Sequence, residues 1–228
     1  MTTSRGAARS NWRAVARSSG PSGNHRLITS VGLVLLVLLG LEALTTLALR
    51  SYLPEHIFLG LLLLPPIALK LAGTGWRFFR YYTHNKLYRL EGPPKLLLRV
   101  LAPALVASTL TLFGSGVALI AIGHGDGLLK SVHGISFVVW GVLMIVHVLA
   151  YLIQTLRVGS ADWRRHAEPV VAGARSRRAA LVGALLAGVI VALATYPAQR
   201  AWLNNRHTRQ GDDRGAPAPA PPSSRQKY

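Results

Sequence analysis

The sequence predicts an all-α integral membrane protein, a four-helix bundle followed by a fifth transmembrane helix. Three observations carry this. Half of the 228 residues are hydrophobic, and they fall in blocks of about 20 with the charges between them. Lys and Arg crowd the flanks of alternate blocks. One block, Ser131 to Leu156, carries two histidines 14 residues apart, His133 and His147. Ionisable side chains inside a bilayer are costly and mark function.

Residues 1–26 are small, polar and basic, with Arg5, Arg9, Arg13, Arg17 and Arg26. They predict a disordered cytoplasmic lead. It resembles a signal-peptide n-region, but the apolar run behind it is too long for an h-region. Span one is therefore expected uncleaved over Leu27–Leu49. Glu42 lies inside it, either hydrogen-bonded to Thr45 or Thr46, the blander role, or serving a proton relay or quinone contact.

Span two is expected over Pro54–Phe79. Pro54 suits a first helical turn. His56 follows at one end, and Gly60 lies a turn below it. Pro65-Pro66 predicts a kink or unwinding in mid-span. Lys70 follows, then Trp76, Arg77, Phe78, Phe79, Arg80, Tyr81 and Tyr82, an interfacial anchor. The next loop carries His84 and the turn signal Gly92-Pro93-Pro94. Span three, Leu96–Ile122, has small residues at Ala107, Ser108, Thr111 and Ser115, with Gly114 and Gly116. Small residues permit close helix packing, or the approach of a flat cofactor.

Gly123 to Gly127 form a short loop containing His124. Span four follows, and together the four spans cover 27–157. Residues 158–178 predict a basic cytoplasmic loop with His166. Span five, from Ala179 to Tyr196 within a segment 179–198, has no ionisable residue and reads as packing. Residues 199–228, with His207, predict a disordered polar and Pro-rich tail. The loops and termini expected on one side hold 17 Lys and Arg against two, Arg50 and Lys130, on the other. That asymmetry predicts a multi-pass protein of the plasma membrane with a cytoplasmic N-terminus. The six basic residues of the tail would then lie outside, in mild conflict with it.

Net charge is +18. Because the cations flank apolar runs, the lipid bilayer and its anionic headgroups are the expected partner, not nucleic acid. There is no cysteine. Disulfides, iron–sulfur clusters, thiolate ligation and covalent haem attachment are excluded. No Ser/His/Asp arrangement suggests nucleophilic catalysis.

Spans two and four run in the same direction. His56 and His133 each sit about two residues from the start, so their imidazoles reach equal depth. At about 100° and 1.5 Å per residue, His133 and His147 share a face roughly 21 Å apart. Fourteen residues below His56 lies Lys70, level with His147. Two imidazoles converging from facing helices can hold a haem iron. The expected metal ligands are His56 and His133, with His147 toward the opposite leaflet. Lys70 can ligate a second haem opposite His147, pair with a propionate or quinone oxygen, or snorkel to the interface. Gly60 lies beside this cofactor region. Trp140, midway between His133 and His147, either lies between cofactors or packs the core. His25, His124, His166 and His207 are expected solvated, and His84 interfacial.

This spacing resembles the membrane-embedded b-type cytochromes, in which the second and fourth helices of the bundle each carry two histidines about 13 to 14 residues apart. His56, His133 and His147 match three of the four positions, and Lys70 departs from the fourth. The segments 69–94 and 137–152 also resemble small actinobacterial membrane proteins described as cytochrome b-like or as anchors of molybdopterin oxidoreductases. The resemblance implies haem b and electron transfer between quinol and a redox partner subunit. The rival expectations are a small transporter, or a cofactor-free scaffold or assembly factor.

Overall fold

In the computed structural model the described residues, 21–83, 96–122, 127–163 and 174–215, are helical apart from short turns. The helices are α1 (Pro21–Leu47), α2 (Leu53–Tyr82), α3 (Leu96–Ile122), α4 (Gly127–Trp163), α5 (Ala174–Ala194) and α6 (Tyr196–Gly215). The first five are each long and apolar enough to cross a membrane. Large apolar side chains such as Leu33, Val37, Leu44, Val138, Ile145 and Leu186 point outward, as a lipid environment allows.

The α1–α2 pair follows from one seam. Asn24, Ile28, Val31, Leu35, Leu38, Glu42 and Thr45 recur at steps of four and three residues, which is one face of a helix. In the middle, Val31, Leu35 and Leu63 form a buried cluster with Leu38 and Ile67 packed on it. At one end, Asn24 Nδ2 donates to Gly73 O at 3.0 Å, and Lys70 Nζ donates to Ile28 O at 2.6 Å. At the other end, Glu42 meets His56. Each step along α1 is matched by an equal step back along α2, so the two are antiparallel and in fixed register.

Helix α2 is continuous through Pro65 and Pro66, where the sequence predicts a kink or unwinding. Each proline lacks an N–H, so the carbonyls of Leu61 and Leu62 lose their partners four residues on. Helix α5 covers this stretch. A Cβ built on Gly188 would stand 2.3 Å from Leu62 O. Only glycine lets the α5 backbone come that close, and a Cα–H there can meet the freed carbonyl. Further along, Ala192 is fully buried against Ile57 and Leu61.

Helices α3 and α4 form a second antiparallel pair. It joins the rest through lighter α2–α3 packing, with Phe113 against the α1–α2 cluster and Ile120 against the Ile57 cluster. Helices α2 and α4 run parallel and scarcely approach each other along their backbones.

Residues 196–215 are helical, where the sequence predicts a tail from 199. Pro197 sits in the first turn, where a missing N–H costs nothing. Gln199, 2% exposed, donates to Ala192 O at 2.7 Å and to Thr195 Oγ1 at 3.0 Å. Trp202 and Leu203 pack on the Ile57 cluster. These contacts dock α6 across the His56 end of the bundle. Helix α1 takes in 21–26 of the lead expected over 1–26, and α4 and α5 take in 158–163 and 174–178 of the expected basic loop; residues 1–20, 84–95, 123–126, 164–173 and the tail from 216 lie outside the described residues.

Candidate functional site

His133 is held from α3. Its Nδ1 lies 3.1 Å from Leu112 O and 3.0 Å from Ser115 Oγ. The Ser115 hydroxyl donates to the same Leu112 carbonyl at 2.9 Å. A carbonyl only accepts, so Nδ1 carries the proton and Nε2 keeps its lone pair. Gly116 makes room for the ring, since a Cβ there would sit 3.1 Å from His133 Cε1. About two turns further along α4, Trp140 Nε1 donates to Thr109 Oγ1 at 3.0 Å. Thr109 in turn donates to Leu105 O. Trp140 is thus a packing residue tied to α3.

His56 is held from α1. Its Nδ1 lies 2.7 Å from Glu42 Oε1. The contact is short but not aligned as a hydrogen bond. Glu42 is anchored in turn. Its Oε2 is 3.4 Å from Thr45 Oγ1, and its backbone carbonyl accepts from both Thr45 and Thr46. A proton on Nδ1, facing that acceptor, would leave the His56 lone pair on Nε2.

The two imidazoles meet. Their centroids are 6.4 Å apart, with planes crossed at 76°. An iron or other metal between two imidazole nitrogens, at about 2 Å each, needs centroids about 6 Å apart. The separation therefore fits an axial pair, with Nδ1 of His133 hydrogen-bonded on α3 and Nδ1 of His56 against the Glu42 carboxylate. The poor backbone contact between α2 and α4 suits the same use. Among the described residues, no three or more His, Asp or Glu side chains gather into a metal-holding group. Two donors for a porphyrin-held iron are thus the most this end of the bundle offers.

The other expected residues are placed apart. His147 stacks on Tyr151 of its own helix, with centroids 4.8 Å apart. It lies within electrostatic reach of Lys70, but it does not join His56 and His133. Lys70 turns toward α1, where Gly32 leaves it space: a Cβ on Gly32 would stand 2.8 Å from Nζ. Gly60 faces the Glu42 carboxylate, with its built Cβ 3.7 Å from Oε1. His25 lies in α1 and is exposed, and His207 falls in α6. His84, His124 and His166 lie outside the described residues.

Glu42 meets Thr45 and Thr46, the blander role expected of it, and also His56, a contact not anticipated from the sequence. The signal was present: Glu42 continues the Asn24–Thr45 seam, and that seam faces the side of α2 that carries His56. No protein-family model matches the chain, and neither any curated protein nor any solved structure matches it.

Proposed function

We propose that the chain is a transmembrane electron-transfer protein that holds one haem b between α2 and α4, with His56 and His133 as axial ligands. The observation that supports this most directly is the imidazole pair, centroids 6.4 Å apart, with His133 Nδ1 bonded on α3 and His56 Nδ1 2.7 Å from Glu42 Oε1. When bound, the haem supplies one-electron chemistry through Fe(II) and Fe(III). The chain's own residues do the rest. Leu112, Ser115 and Glu42 fix which nitrogen each ring presents. Helix α6, through Trp202 and Leu203, covers the His56 end. The flanking cations favour the plasma membrane with the N-terminus on the cytoplasmic side.

One haem is the proposed number. Lys70 is engaged by Ile28 O on α1, and among the described residues His147 belongs to no group of three or more His, Asp or Glu side chains. Exchange of electrons between quinol and a redox partner subunit is the proposed role, by the resemblance in spacing alone. A second reading, proton handling in a small transporter, draws on the Glu42–His56 contact. The two separate by colour. Protein purified from haem-supplied cells should give a b-type reduced-minus-oxidised spectrum, lost in both His56→Ala and His133→Ala. A colourless, folded wild type would refute the haem reading.

A further inference from the structure

We infer that Glu42 is a positioning residue: it holds the Nδ1 proton of His56 so that Nε2 is presented as a donor. This rests on the reading of His56 as a ligand and adds a residue to that site. The contact is 2.7 Å, and the side chains of His56 and Glu42 are only 22% and 15% exposed. A carboxylate inside a bilayer-length helix is costly, so it persists where something holds it. Glu42 is held at both ends. Thr45 steadies Oε2, and the helix beneath is locked in rotation by the Asn24–Gly73 and Lys70–Ile28 bonds.

The two rings are oriented by different chemistry. On His133 a backbone carbonyl and a hydroxyl engage Nδ1. On His56 a carboxylate engages it. A neutral histidine otherwise distributes its proton between the two nitrogens, and a proton on Nε2 closes that atom to a metal. Outer partners of ligand histidines typically set metal affinity by about 10- to 100-fold when removed. Because Glu42 acts only through His56, its removal should alter how the ring is presented while the fold stays intact.

The test has two arms on the full chain in detergent or nanodiscs. In the first, nitrogen NMR of ¹⁵N-histidine-labelled, haem-free protein reads the tautomer. Wild type should hold His56 in the Nδ1–H form. Glu42→Leu should populate the Nε2–H form, and Glu42→Gln, which keeps an acceptor oxygen, should restore Nδ1–H. In the second, haemin titration should weaken about 10- to 100-fold in Glu42→Leu, with Glu42→Gln between. His133, whose Nδ1 is held by Leu112 O and Ser115 Oγ, should keep its Nδ1–H form in both variants. An unchanged His56 tautomer in Glu42→Leu overturns the inference, whatever haemin does. If wild type binds no haemin, the haem reading falls, and the NMR arm still decides the role of Glu42.

Discussion

The close seating of α5 on α2 gives the sharpest prediction. Replacing Gly188 by Ala puts a methyl carbon 2.3 Å from Leu62 O. Carbon–oxygen contacts of this kind settle near 3.3 Å or beyond, so α5 must retreat by about 1 Å. The opposing atom is a backbone carbonyl inside a proline-interrupted helix, and it cannot swing aside. Overpacking of this sort costs about 1–3 kcal/mol. Replacing a helical glycine by alanine returns about 1 kcal/mol. The net loss should be up to about 2 kcal/mol, a drop of up to roughly 8 °C in Tm for a chain of this size. Gly183, on the same helix, has nothing within 4 Å of its built Cβ. Gly183→Ala should therefore be neutral, or stabilising by up to about 1 kcal/mol. Thermal unfolding of both variants in one detergent is the assay. Equal stability of Gly188→Ala and Gly183→Ala would refute the view that α5 is seated on the Leu62 carbonyl.

Two further outcomes are expected from the packing. Gly32→Ala should be close to neutral, because moving Lys70 Nζ off Ile28 O costs about 1 kcal/mol and a helical Gly→Ala returns about as much, and it should stabilise by up to about 1 kcal/mol in a Lys70→Met background; a double-mutant cycle with no coupling would contradict the described contact. Gln199→Leu should cost about 1–3 kcal/mol, because Ala192 O and Thr195 Oγ1 lose their buried donor. It should also expose α6 to trypsin at Arg200, and an unchanged cleavage rate would contradict docking of α6 through that amide.

Which parts of this structure the sequence disclosed follows from how the information is carried. The five long apolar helices are local signals of composition, and each falls close to its expected place. The meeting of His56 and His133 needed only equal depth on parallel helices, which counting along the chain provides. Lys70 was harder. Counting placed it level with His147, but its side-chain direction depended on Gly32, a vacancy on another helix. Glu42 depended on the register between α1 and α2, which the Asn24–Thr45 seam encodes only once a facing helix is chosen. Helix α6 was obscured by polarity. Its hold on the bundle comes from Gln199, Trp202 and Leu203, three residues in an otherwise charged run. The continuity of α2 through Pro65 and Pro66 was not local at all, since its support is a glycine more than 120 residues away.

The central claim is that two imidazoles, one from each of two parallel helices, hold a single iron porphyrin. A pyridine haemochrome assay on purified full-length protein, set against protein concentration from amino-acid analysis, tests it most directly. The account predicts one haem b per chain in wild type and none in the His56→Ala, His133→Ala double variant. A wild type that folds and carries no haem, or a double variant that retains it, would contradict the account.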